Sequence, residues 1–220
     1  MYREDEPVRR PQEHWRRPEI AQAYDRFRFD GLKGRLYRWR EERALERALS
    51  ELHPGSSVLD VACGTGRITA LLACNGFATT GCDISPAMLA VARRRLICLG
   101  RDVPFVEGRV EQLPYRNDTF DAVACIGLLM HLDADARIRA LRELARVSRG
   151  PLVLQYGCLD GLWHPGVVAF RRQPGHVRFP VSMADMRLDF ARAHVIERVT
   201  LRVLPGVSSS VVVLVSKTAA

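Results

Sequence analysis

No uninterrupted apolar run in this chain reaches the roughly 18 to 20 residues that a membrane-spanning helix needs. The stretch from Met1 to Arg17 is charged and has no apolar h-region, so it does not read as a secretory signal. Cytoplasm is the expected location. No C-x-x-C pair occurs among Cys63, Cys74, Cys82, Cys98, Cys125 and Cys158, most of which sit in apolar segments. Free buried thiols are therefore expected, with no disulfide and no structural metal. Lysine is nearly missing: only Lys33 and Lys217 occur, so arginine supplies almost all of the basic side of a net charge of +8. Those arginines are spread along helices rather than gathered in one stripe, which makes a nucleic-acid groove the minority reading and a solvated helix face the main one.

What is present is enough apolar composition, 47%, to bury the core of one domain in 220 residues. Residues 1–17 read as a mobile, proline-punctuated tail. Two helices follow, about 18–30 and 35–52, separated by Gly31 and Gly34; Leu36, Trp39, Ala44, Leu45, Ala48, Leu49 and Leu52 are read as one apolar stripe of the second. From Ser57 the pattern alternates between strand and helix. Strands are expected at 58–62, 77–82, 103–107, 120–126 and 152–156, with helices at 67–74, 86–99 and 133–147. Ser85 is a candidate N-cap with Pro86 at the first helical position. Such alternation implies right-handed crossovers and a mostly parallel sheet. Gly157 to Pro180 reads as irregular, 182–193 as a helix, and 195–204 with 208–217 as a closing antiparallel hairpin around Pro205-Gly206.

The first strand-turn-helix carries the chemistry. Ala62, Gly64 and Gly66 have little or no side chain, which lets a ligand approach the backbone. The helix opening after Gly66 presents free N–H groups suited to a carboxylate or phosphate. Asp60 supplies an acid able to attract an ammonium, and Asp83, closing the second strand, can accept from two ribose hydroxyls. Acid and anion acceptor together suit the zwitterionic methionine end of S-adenosylmethionine. The third glycine of G-x-G-x-x-G is absent: Thr69 stands there.

Val58-Leu59-Asp60-Val61-Ala62-Cys63-Gly64-Thr65-Gly66 resembles the first motif of class I S-adenosylmethionine-dependent methyltransferases, and Gly81 to Leu89 is similar to their second. Gly108 to Tyr115 resembles the segment framing the adenine, and Asp118 to Val123, leading to Leu129-Met130-His131-Leu132, the fourth strand and its exit. The subgroup most resembled contains the ubiquinone and menaquinone methyltransferases. The resemblance implies a Rossmann-like α/β fold, a doubly wound and mostly parallel seven-stranded sheet with an antiparallel C-terminal hairpin. It divides 18–220 into a helical lid (18–54), a cofactor-binding core (55–157), an acceptor-side insertion (158–181) and a closing helix and hairpin (182–220). Asp60, Ala62 and Gly64 would hold the methionine portion and Asp83 the ribose. Ile84 and Met88 would flank the adenine, Val110 and Glu111 would lie at its edge, and Cys125 or Ile126 would offer a main-chain carbonyl. Tyr24-Asp25 is similar to a Y-D pair placed over the cofactor. Arg109 departs from the pattern, since an acidic residue commonly stands there and arginine has no acceptor.

His131 is the candidate general base or substrate contact, and Arg28, Trp163, His164 and Arg171 are candidate acceptor contacts. The fourth strand ends without an N-P-P-aromatic tetrapeptide or a Pro-Cys, which disfavours methylation of DNA bases. The expected function is methyl transfer to a small-molecule acceptor at oxygen, nitrogen or carbon, by a monomer or homodimer. An RNA methyltransferase using arginine-rich surfaces and a non-catalytic S-adenosylmethionine-binding module are the alternatives.

Overall fold

Strand residues of alternating orientation and helices of helical apolar period assemble, in a computed structural model, into a seven-stranded sheet of order β3-β2-β1-β4-β5-β7-β6. The structure describes residues 16–29, 31–158, 181–203 and 210–218. In chain order these form α1 (Pro18–Phe29), α2 (Gly31–Ala48), β1 (Ser57–Val61), α3 (Arg67–Cys74), β2 (Ala78–Asp83), α4 (Pro86–Cys98), β3 (Phe105–Glu107) and β4 (Ala122–Cys125). After a 3-10 turn (Leu129–His131) come α5 (Ala134–Val147), β5 (Leu152–Gly157), α6 (Met183–Arg192), β6 (Val195–Arg202) and β7 (Ser210–Lys217). β1 pairs in parallel with both β2 and β4, β3 joins β2, and β5 joins β4, all parallel. β7 runs antiparallel to both β5 and β6 and lies between them. The hairpin thus enters the sheet by its second strand.

Alternate residues of each central strand feed opposite faces, as the two-residue period demands. Leu59, Val61, Val123 and Leu154 pack with Leu141, Leu144, Tyr156 and Phe190 on one face. Val58, Ala122, Ala124 and Val153 pack with Leu45, Leu49, Ile68 and Leu72 on the other. Helix starts follow capping chemistry. Ser85 Oγ accepts the Met88 amide at 3.2 Å with Pro86 next in line, and Asp133 Oδ1 accepts the Ala136 amide at 2.8 Å.

The second helix corrects the expectation from sequence. It begins at Gly31, contains Gly34 and ends at Ala48, instead of running 35–52. Nor do its apolar residues form one stripe. Leu36 and Leu45 are nine positions apart, about 900° of helix and therefore half a turn out of phase; the same holds for Trp39 and Ala48. Ala44, Leu45, Ala48 and Leu49 are buried, whereas Leu36 and Trp39 are exposed. β3 and β4 are shorter than expected, β3 by 103–104 and β4 by 120–121 at their amino ends; toward the site only Ile126 leaves the ladder, and it lines the cavity.

Candidate functional site

Strand order reverses across β1, which has β2 on one side and β4 on the other, so a crevice opens beyond the carboxyl ends of these strands. A cavity of about 590 Å³ occupies it. Its lining includes Tyr24, Ala62, Gly64, Asp83, Ile84, Met88, Val110, Glu111, Ile126 and His131, all anticipated from sequence. Arg109, Leu128, Leu132, Asp133, Ala136 and Arg139 complete much of the remaining wall.

The turn after β1 is held open by unusual backbone. Gly64 has φ +55°, and a Cβ built on it would meet nothing within 4 Å, so the missing side chain leaves free room on the cavity side. Gly66, φ +74°, is closed in: a Cβ there would lie 2.8 Å from Ala92 Cβ and 3.0 Å from Ala92 Cα. The first glycine gives space to a ligand and the second lets α4 pack against the turn. Ala62 also adopts a left-handed conformation, φ +57°, at a cost of about 1–2 kcal/mol for a residue with a Cβ.

Asp83 closes β2 and is buried. Its Oδ2 accepts the Gly64 amide at 2.8 Å and its Oδ1 the Ser85 amide at 2.9 Å. Desolvation raises its pKa above the ordinary value, against the pull of the Ser85, Gly64 and Ile84 amides. One carboxylate therefore ties the β1 and β2 turns together while facing the cavity.

Asp60 differs from the expected direct ligand. It is 1% exposed, does not line the cavity, and accepts the Thr69 hydroxyl at 2.6 Å. Burial pushes its pKa up to about 7, with the Thr69 hydrogen bond and the Arg67 charge acting the other way. An acid of this kind keeps its proton in the folded chain after the unfolded chain has lost it. Its contribution to stability is complete below about pH 4 and drains away as pH rises through about 7. Asp60→Asn, which keeps an acceptor for Thr69, is expected to gain stability relative to the native protein between pH 4 and 7 and to level off above. Paired denaturant titrations across that range would show it, and a difference independent of pH would refute it.

Gly66 and Cys125 likewise lie off the cavity wall, Cys125 being fully buried in β4. The first packs against α4 and the second fills the core, leaving Ile126 as the exit residue of β4 on the wall. Desolvation raises the thiols of Cys63, Cys82 and Cys125, so these are inert protonated core groups. Trp163, His164 and Arg171 lie outside the described residues, and Arg28 lies in α1 with its side chain outside the description.

Three contacts escaped sequence reading. Asp25, beside Tyr24 on α1, accepts the Thr65 hydroxyl at 2.9 Å and pairs with Arg95 of α4, latching α1 to the turn after β1. Arg16 donates to the Ile84 carbonyl at 3.3 Å, across the end of β2. Arg137, buried on α5, donates to Asp189 of α6 at 2.8 Å and to the Leu132 carbonyl at 2.8 Å, fixing the loop that presents His131. No local period signals the Asp25, Arg16 and Arg137–Asp189 contacts, because each joins segments distant in sequence.

A family model described as a methyltransferase domain matches residues 58–150. Malonyl-[acyl-carrier protein] O-methyltransferase of Pectobacterium atrosepticum is 31% identical over 207 residues, covering 89% of this chain and 76% of that protein. Demethylmenaquinone methyltransferase of Mycobacterium marinum is 38% identical over 131 residues, and there the match spans 59% of this chain and about half, 52%, of the relative. Magnesium protoporphyrin IX methyltransferase of Synechocystis, crystallised with S-adenosylhomocysteine, shares the fold with a TM-score of 0.75 at 20% identity, covering 94% of this chain and 98% of that one. With the switch-point cavity, the open Gly64 turn and the buried Asp83 in place, these likenesses lead to one assignment: the chain belongs to the S-adenosylmethionine-dependent methyltransferases.

Proposed function

We propose that this chain transfers the methyl group of S-adenosylmethionine to a small-molecule acceptor. The observation that carries the reading is the single cavity whose wall holds both the Asp83-Gly64 pair and His131. Ala62 and Gly64 would lie along the methionine portion, Asp83 against the ribose, and Ile84, Met88, Val110 and Glu111 around the adenine. Glu111 carries acceptor oxygens at an edge where Arg109 has none, and the two pair at 3.7 Å. Asp60 acts from beneath the wall without direct contact, accepting the Thr69 hydroxyl and so tying α3 to the end of β1.

Bound S-adenosylmethionine would supply an electrophilic methyl on a sulfonium that leaves as a neutral thioether. The chain's part is alignment and exclusion of water. Tyr24 on the latched α1 would close one side of the cavity, and Leu128, Ile126 and Leu132 give the opposite side an apolar surface. His131, on the wall of the same cavity, would take up an acceptor proton or orient an acceptor hydroxyl. Among the relatives, malonyl-[acyl-carrier protein] O-methyltransferase matches 89% of this chain, whereas a probable tRNA methyltransferase 9B of Mus musculus, 37% identical, matches 45%; the longer match supports a metabolite rather than a nucleic acid as acceptor.

Incubation with methyl-labelled cofactor and a metabolite extract, followed by separate counting of the small-molecule and RNA fractions, tests the proposal. Label is expected in the small-molecule fraction; label confined to RNA would overturn it. His131→Ala is expected to lower kcat by about tenfold or more while the cofactor Kd stays unchanged. An unaltered kcat would remove His131 from the reaction.

A further inference from the structure

The outer face of α2 has no part in the methyl-transfer site, and its pattern is informative. Ala44, Leu45, Ala48 and Leu49, with Glu41, are buried against the sheet, so the helix has a defined inward face. At about 100° per residue, Leu32, Leu36 and Trp39 fall within about 60° of one another and about 180° from the centre of that inward face. They are 83%, 47% and 50% exposed. Three large apolar side chains thus stand on the outermost line of the helix, and they lie on successive turns.

Basic residues continue that line at Arg43 and flank it at Lys33, Arg40 and Arg47 on one side and Arg35 on the other. Lys33, Arg35, Arg40, Arg43 and Arg47 are all exposed. Among the described residues, Lys33, Arg35 and Arg47 make no ion pair, and the guanidinium of Arg40 lies 5.3 Å from the centre of the Trp39 ring. Glu42 and Glu46, the acids nearest this face, are occupied by Arg38 at 2.8 Å and Arg43 at 3.4 Å. A second copy of this chain would bring like charges together. A flat anionic surface would instead receive the apolar line and neutralise its flanks at once, with a tryptophan at the depth where indole rings prefer to sit.

From this arrangement we infer that α2 is an interfacial helix that docks the protein on membranes carrying anionic lipids. The helix lies on such a surface and does not enter it: no helix of the described residues is long and apolar enough to cross a membrane. The inward face keeps its grip on the sheet, so docking needs no unfolding. α1, whose Tyr24 lines the cavity, ends two residues before α2 begins, so the docked face lies next to the wall of the cleft in sequence.

Co-sedimentation of the full chain with phosphatidylcholine vesicles containing about one third phosphatidylglycerol tests this, with pure phosphatidylcholine as the control. Binding is expected to the anionic vesicles only and to weaken with added salt. The triple variant Leu32→Ser, Leu36→Ser, Trp39→Ser is expected to lower partitioning by at least about tenfold, and Arg35→Glu alone by about fivefold or more. Both replace exposed side chains, so an unchanged circular dichroism spectrum and thermal midpoint accompany the loss. Absence of binding by the native chain would overturn the inference, as would binding that the triple variant retains. So would a native dimer that the triple variant dissociates, or capture by polyglutamate but not by vesicles; these would assign the face to a second copy or to an acidic protein.

Discussion

Replacing Glu41 by alanine is expected to cost about 3–5 kcal/mol of folding stability, which lowers Tm by on the order of 10 °C in a chain of this size. Glu41 is wholly buried on α2. It pairs with Arg67, itself 10% exposed, and accepts Gln155 Nε2 at 2.5 Å. Gln155 of β5 also donates to the Tyr37 hydroxyl at 3.1 Å, which in turn donates to Ser210 of β7 at 3.0 Å. The carboxylate is thus the charged hub of a network that joins α2, α3, β5 and β7. Without it the Arg67 guanidinium loses its pairing with the buried carboxylate while Glu42 stays at 3.3 Å, and Gln155, whose Oε1 has no partner among the described residues, loses the charged acceptor of its Nε2. Loss of a buried carboxylate that serves two donors at once is what makes the deletion expensive. Glu41→Gln restores the shape but turns an NH2 toward existing donors, so it is expected to fall between the two. Urea unfolding of all three proteins measures the difference, and a loss below about 1 kcal/mol for the alanine variant would show that water or Glu42 takes over the role.

Asp83→Ala is expected to raise the Kd for S-adenosylmethionine by roughly tenfold to a hundredfold, about 1.5–3 kcal/mol for lost hydrogen bonds to a charged group. Two effects act together. The carboxylate proposed to receive the ribose disappears, and the Gly64 and Ser85 amides, which it accepts at 2.8 and 2.9 Å, lose their partner just where the β1 turn must keep its left-handed shape. Because burial raises the Asp83 pKa, native affinity should also fall on acidification sooner than an exposed carboxylate would dictate. Calorimetric titration with cofactor and with S-adenosylhomocysteine, alongside thermal unfolding, separates the two effects. An alanine variant that folds normally and binds both ligands with native affinity would exclude Asp83 from the site.

Much of this molecule could be read without coordinates. The short buried runs of β1 and β4, the Ser85-Pro86 start of α4 and the missing third glycine are local features, visible in any window of ten residues. The helix at 67–74 agrees with the observed α3 to the residue. The single stripe expected on α2 overlooked that Leu36 and Trp39 lie half a turn from Leu45 and Ala48, and spacing does not say which of the two sets turns inward. Only the sheet, by burying Leu45 and Ala48, leaves Leu36 and Trp39 outside. Asp60 shows the same limit at the site: its place at the end of β1 was foreseen, but its enclosure under Thr69 was not.

The alternation of strands and helices determined a mostly parallel sheet, and the small residues and acids of its first two turns marked a ligand site, because strand, turn and helix propensities act over a few residues; the doubly wound order was implied by the resemblance to class I methyltransferases. The tertiary structure alone decided which charges are paired and which wait for a partner. Gln155 and Glu41 are 114 positions apart, and Asp25 and Arg95 are 70. Contacts across such separations are chosen by how whole layers pack against one another, and no short stretch of sequence holds that information.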